Sequence, residues 1–138
     1  MIALDTNVLI YACDRSDPQR QQTAIQLVAN STDGVLLWQV ACEFVAASRK
    51  LSAQGFSASD AWSRLAEFLD VFRLVLPSEG VLNRAQGLHV SHKVSFWDAM
   101  ILASCLEVGV EILYSEDVPG LDVLERLRVI NPFARPPA

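Results

Sequence analysis

The sequence predicts an α/β fold in which a parallel sheet is covered by helices on both faces. Three observations lead there. Short apolar runs at residues 2–4, 35–37, 73–76, 111–114 and 128–130 alternate with longer segments of helical periodicity. Acidic residues follow two of those runs, at Asp5 and Asp117, and sites in such sheets gather at the carboxyl ends of strands. The chain has 138 residues, 51% of them hydrophobic and 20% charged, with no linker, internal repeat or second compositional block. That suits a single domain over 1–138 with a buried core.

Each element has its own signals. Ile-Ala-Leu at 2–4 reads as a strand, and Asp5-Thr6-Asn7 leads into a short helix over about 7–13. Ser16-Asp17-Pro18 starts a helix over about 18–30, with proline near the first helical position. The cluster Asn30 to Gly34 is a turn, and Val35-Leu36-Leu37 a buried strand. Val40, Phe44, Ala47 and Leu51 fall at helical spacing, giving a helix over about 39–52 that Gly55 stops. Ser57 to Asp60 opens the next helix, with Trp62, Leu65, Ala66 and Leu69 expected on one face. A strand over 73–76 ends at Pro77, and a helix covers about 79–90. Ser95-Phe96-Trp97-Asp98 has the spacing of a capping box, with Asp in place of Glu, and opens an apolar helix that Gly109 ends. Strands follow at 111–114 and 128–130. Asn131-Pro132 breaks the last one, and 133–138 is expected to be a loose tail.

The net charge of −5 argues against a broad electrostatic grip on nucleic acid, but a carboxylate cluster inflates that count and bound cations reverse the local sign. No basic start with a longer apolar core marks a signal peptide, and no run approaches the ~20 residues of a membrane helix. A cytoplasmic protein is expected. Cys13, Cys42 and Cys105 include no C-x-x-C pair and read as buried free thiols. His89 and His92 are three apart, but no cysteine or third histidine completes a zinc site.

Four acids stand out. Asp5 between strand and helix reads equally well as an N-cap or a functional group. Glu43 shares a helix face with Val40 and Ala47, where a carboxylate is costly unless paired or metal-bound. Asp98 suits a helix N-terminus, yet Ile101, Leu102 and Cys105 lie along its face. Asp117 sits in a polar turn with Glu116 and Asp122 as rivals. Converging acids without bases repel, and hard divalent cations relieve that repulsion. Such a cluster suits phosphodiester hydrolysis.

Read together, four segments resemble PIN-domain nucleases, especially the VapC-type toxins of toxin–antitoxin pairs. They are Leu4-Asp5-Thr6-Asn7-Val8-Leu9-Ile10-Tyr11, Gln39-Val40-Ala41-Cys42-Glu43-Phe44, Phe96-Trp97-Asp98-Ala99-Met100-Ile101 and Leu113-Tyr114-Ser115-Glu116-Asp117. The closing Ile130-Asn131-Pro132-Phe133 is similar too, so the resemblance spans essentially the whole chain. It implies a PIN-like three-layer sandwich with a five-stranded parallel sheet flanked by helices. Asp5, Glu43, Asp98 and Asp117 match the family's four acidic positions, as catalytic metal ligands for Mg²⁺, or Mn²⁺ in its place. Thr6, Asn7 and Ser115 match positions that support those ligands. The activity implied is an endoribonuclease that cuts RNA, is neutralised by a cognate antitoxin and commonly forms homodimers. Arg15, Arg49, Lys50, Arg84 and Lys93 are the candidate RNA-holding cations, although solvated surface is their commoner role.

Other functions remain open at this point. A PIN nuclease could process RNA or DNA without being a toxin. A phosphatase of the haloacid dehalogenase type needs Asp-x-Asp, whereas Asn7 stands two after Asp5. A silent binding module would keep the fold without the chemistry, but all four acids are present.

Overall fold

The computed structural model describes residues 1–117 and 123–134. A sheet in the order β3-β2-β1-β4-β6-β5 forms the centre. Its strands are β1 (Ile2–Leu4), β2 (Gly34–Leu37), β3 (Arg73–Val75), β4 (Ile112–Tyr114), β5 (Val123–Leu124) and β6 (Leu127–Ile130). Five of them pair in parallel, as expected. The sixth, β5, was not foreseen. It pairs antiparallel with β6 through a tight turn in which Glu125 takes a left-handed φ of 54°. Two residues carry too little periodicity to signal a strand.

The helices are α1 (Thr6–Cys13), α2 (Pro18–Asn30), α3 (Trp38–Ala47), α4 (Ala58–Val71), α5 (Glu79–Ser91) and α6 (Phe96–Val108). The chain moves from β1 to β2 to β3 in one direction, then returns to place β4 on the other side of β1. Right-handed crossovers therefore set α1 to α4 on one face and α5 with α6 on the other. Contacts follow that division: α1 packs on α2 and α3, α3 on α4, and α5 on α6. The reversal between β1 and β4 is a topological switch point, where the loops after the strands splay apart and leave a crevice.

Local chemistry fixes the helix ends. Asp17 caps α2 by accepting from the Arg20 N–H at 3.2 Å, with Pro18 first in the helix. Ser57 and Asp60 complete a capping box on α4. Gly55 and Gly109 both adopt φ of 80°, a left-handed conformation that ends the preceding helical segment at little cost. The core gathers Leu9, Leu36, Leu37, Phe44, Leu102 and Leu113. Among the described residues no helix is long and apolar enough to cross a membrane.

Several expectations need correction. The helix expected over 39–52 stops at Ala47, and Ser48–Gln54 tightens into a 3₁₀ helix. The buried face of α4 is Ala61, Leu65 and Phe68, so Trp62, Ala66 and Leu69 look outward instead. No side-chain cap forms at Ser95. Cys42 is exposed, because the inward stripe of α3 runs through Val40, Ala41 and Phe44. Phe133, expected to begin a loose tail, packs edge-on against Tyr11 with ring centroids 4.9 Å apart. Residues 135–138 of that tail, and Asp122 among the rival acids, lie outside the described residues.

Candidate metal centre

Asp5 ends β1 and begins α1, and its backbone N–H donates to the Tyr114 carbonyl of β4 at 2.9 Å. Its carboxylate is thereby held at the switch point, only 7% exposed. Oδ1 accepts from the Thr6 N–H at 2.7 Å, so the N-cap role is real. Oδ2 accepts from the Ser115 hydroxyl, also at 2.7 Å, across the β1–β4 boundary. Each Asp5 oxygen therefore accepts one hydrogen bond, one from the helix start and one from across the strand boundary.

Glu43 and Asp117 are braced in the same manner. Thr6 donates its hydroxyl to Glu43 Oε2 at 2.9 Å, and Gln39 donates to Glu43 Oε1 at 2.6 Å. Asn7 donates its side-chain amide to Asp117 Oδ2 at 3.1 Å, while the Ser115 oxygen accepts from the Asp117 N–H at 3.2 Å. The side chains of Thr6, Asn7 and Ser115 therefore donate to Glu43, Asp117 and Asp5 respectively. Asp98 stands in the first turn of α6 and lines the same cleft. Asp5, Glu43, Asp98 and Asp117 all line this one cleft, which has a volume of about 670 Å³.

Glu116, the rival of Asp117, is engaged elsewhere. It accepts from the Tyr11 hydroxyl at 2.9 Å and forms an ion pair with Arg20 at 3.1 Å. Arg20 also pairs with Asp17 and lies over the rings of Tyr11 and Phe133, 5.4 and 5.9 Å from their centroids. Nothing in the local sequence announces this clasp, because its members come from α1, α2, the loop after β4 and the chain's end. Asp14 is a fifth acid on the cleft that sequence reasoning missed. Ser16 and Gln54 hold its Oδ1 by three hydrogen bonds, led by the Ser16 hydroxyl, and keep its pKa below the usual range.

The electrostatics set Asp5 apart. Burial pushes its pKa up, and the nearby charges of Glu43 and Asp98 push the same way. The Ser115 and Thr6 hydrogen bonds oppose the rise but do not cancel it. An uncompensated negative field of this kind is what a bound cation relieves. The oxygens on offer come from carboxylates, two hydroxyls and amides, which suit a hard ion such as Mg²⁺ and not a soft one. As placed, no three His, Cys, Asp or Glu side chains among the described residues already stand as a ligand set. The His89–His92 pair gains no third ligand either, and the His89 ring lies 3.0 Å from the Val94 carbonyl.

Of the five candidate cations, Arg49 and Lys50 line the cleft on the 3₁₀ segment after α3. Arg15 donates to the Gln54 carbonyl, and Arg84 lies at the far end of the sheet in ion pairs with Glu107 and Glu125.

Comparison with known proteins adds the following. A family model described as PIN domain matches residues 2–118. No curated protein matches the chain. Among solved structures, a toxin–antitoxin complex from Klebsiella pneumoniae is similar at 20% identity and a TM-score of 0.69, with 96% of this chain and 98% of that one covered. The Mycobacterium tuberculosis toxin VapC20, described as cleaving the sarcin-ricin loop, shares 21% identity with a TM-score of 0.66, covering 85% and 90%. VapBC2 from Rickettsia felis, solved with a DNA fragment from its promoter, shares 17% identity with a TM-score of 0.68, covering 95% and 98%. At such identities these three structures speak for a common fold.

Proposed function

Because the chain belongs to the PIN-domain family, we propose that it is a Mg²⁺-dependent endoribonuclease, acting in the cytoplasm as the toxin of a toxin–antitoxin pair. The observation that carries the reading is the convergence of Asp5, Glu43, Asp98 and Asp117 on one cleft at the β1–β4 switch point. These four would hold the metal, with Mn²⁺ able to replace Mg²⁺. Held by these residues, a divalent ion would supply water activation and charge neutralisation at the scissile phosphate.

The chain's own residues prepare that site. Ser115 and the Thr6 N–H orient Asp5, leaving its buried carboxylate fixed before anything binds. Thr6 and Gln39 aim Glu43 from both sides, and Asn7 steadies Asp117. Each of these carboxylate oxygens keeps a second lone pair, so the neutral donors can stay in place while a metal binds. The groups behind a metal's ligands are worth roughly 10–100-fold in affinity or activity, and Thr6, Asn7 and Ser115 hold that position here.

RNA as substrate rests on the family resemblance and on the toxins among the similar structures. An antitoxin partner is favoured by the toxin–antitoxin complex among them and by the acidic cleft, which suits a basic segment. Homodimer formation is part of the same reading, and the outward apolar residues Trp62 and Leu69 of α4 are compatible with it. The test is direct. Purified protein should cleave RNA with Mg²⁺ or Mn²⁺, fail with chelator, and co-purify with its antitoxin when the two are expressed together. Retention of full cleavage in chelator would sink the metal mechanism. Cleavage without any co-purifying partner would leave a PIN nuclease of RNA processing as the better reading.

A further inference from the structure

The carboxylate floor of the cleft repels the phosphates of any polynucleotide, so binding must draw on the rim. We propose that Trp97 stacks an unpaired base of single-stranded RNA while Arg49 and Lys50 hold adjacent backbone phosphates, forming a nucleotide-binding rim around the acids. This deepens the nuclease reading and rests on it.

Three observations carry the proposal. First, Trp97 is 63% exposed and lines the cleft, and a large amphipathic ring so placed is the kind of side chain enriched at binding interfaces. Its contact with Phe96 is edge-on, at 4.8 Å and 79°, which does not bury the ring. Second, the Trp97 backbone is tied to the acid cluster. Its carbonyl accepts from the Gln39 side-chain amide at 3.2 Å, and the same amide nitrogen donates to Glu43 at 2.6 Å. Asp98 follows directly in sequence, so a base lying on Trp97 stands beside the cleft acids. Third, Arg49 and Lys50 are exposed, line the same cleft, and enter no ion pair among the described residues.

An aromatic face for bases beside free cations for phosphates is how single-stranded nucleic acid is held without sequence readout. A duplex keeps its bases stacked on one another and has none to offer Trp97. A protein partner could also cover an indole. The adjoining cations and carboxylates favour the polynucleotide.

The test uses a labelled adenosine RNA oligonucleotide of about 12 nucleotides, a length set by typical single-strand sites. Binding to the full chain is measured with Ca²⁺ in place of Mg²⁺, and cleavage separately with Mg²⁺. Trp97→Ala should weaken binding and raise KM roughly 10- to 100-fold with kcat little changed, and Trp97→Phe should restore most of the loss. Replacing both Arg49 and Lys50 with Ala should lower the salt dependence of binding by up to about two phosphate contacts. Abasic sites in the oligonucleotide should erase the difference between wild type and Trp97→Ala. Cleavage with an unchanged KM in Trp97→Ala overturns the rim and leaves the nuclease standing. Trp97-dependent binding without any cleavage supports the rim and removes the nuclease reading. No binding at all overturns both. Trp97→Ala that binds RNA normally but loses self-association or a protein partner assigns the indole to a protein interface and overturns the proposal.

Discussion

The acids at the amino ends of the strands and the four acids of the cleft meet charge in opposite ways. At the amino ends of the strands, acids meet bases. The terminal amine of Met1 pairs with Asp33 at 3.1 Å and Glu111 at 3.7 Å, and Arg84 pairs with Glu107 at 2.7 Å and Glu125 at 3.0 Å. At the carboxyl ends, Asp5, Glu43 and Asp117 receive hydrogen bonds from hydroxyls and amides alone among the described residues. Both ends are rich in carboxylates, so their number does not mark the site. What sets the cleft acids apart is that they meet neutral donors where the amino-end acids meet bases, and the proposed metal would supply the missing charge.

Mutating each end should separate them most sharply by activity. Asp5→Ala or Asp98→Ala should lose RNA cleavage and Mg²⁺ binding by more than the roughly 10–100-fold typical of supporting groups. Arg84→Ala, at the paired end, should cleave normally and barely move the melting temperature, since half-exposed ion pairs add little. A cleavage assay with calorimetry of Mg²⁺ binding checks both, and loss of cleavage in Arg84→Ala would break the contrast.

A smaller effect is expected behind the ligands. Ser115→Ala removes one hydroxyl from Asp5 and one acceptor from the Asp117 N–H. Cleavage should fall about 10- to 100-fold at fixed Mg²⁺ and recover in part as Mg²⁺ is raised. A Ser115→Ala protein indistinguishable from wild type would show that this bracing is incidental.

Stability should carry the same signature with the opposite sign. Burial raises the Asp5 pKa, so the folded chain binds that proton more tightly than the unfolded chain does. Stability contributed at this group is therefore present below the ordinary value of 3.8 and lost as pH rises through the higher folded value. Above that window the fold bears a buried charge. Asp5→Asn, in chelator at neutral pH, should then melt higher than wild type, and the advantage should vanish in acid. Mg²⁺ should reverse the order by stabilising wild type alone, by about 2.7 kcal/mol at a hundredfold excess over Kd. Melting curves with and without Mg²⁺ decide it, and a less stable Asp5→Asn in chelator would contradict the account.

The mildest probe is thiol reactivity. Cys42 is exposed one residue before Glu43, whereas Cys13 and Cys105 are buried, with burial pushing both thiols up in pKa. One thiol should react in the native protein and all three after unfolding. Fast labelling of Cys105 in the native state would mean that the floor beneath Asp5 opens.

The sequence made the acids legible because strand ends and apolar helix faces are local patterns. Asp5 after Ile-Ala-Leu and Glu43 between Val40 and Ala47 can be seen within a few residues. The helix over 18–30 and the strand over 35–37 were legible for the same reason. What escaped depends on distance along the chain or on side-chain rotation. Leu51 continues the helical spacing of α3 whether the backbone stays α or tightens, so the 3₁₀ segment carrying Arg49 and Lys50 left no trace. Ala61 and Phe68 on one side of α4, and Trp62 and Leu69 on the other, give two apolar stripes, and only packing chooses between them. Thr6 meets Glu43 across 37 residues and Arg20 meets Glu116 across 96, which no window reveals.

The Phe133 clasp has a consequence for the chain as a length of polymer. Its ring lies against Tyr11 and Arg20, the two residues that hold Glu116, and Asp117 comes next. Removing Phe133 is therefore expected to loosen the loop that carries Asp117, three residues before trimming reaches β6. The last aromatic of the sequence serves as a latch, and catalytic competence is expected to disappear a few residues of trimming earlier than foldedness does.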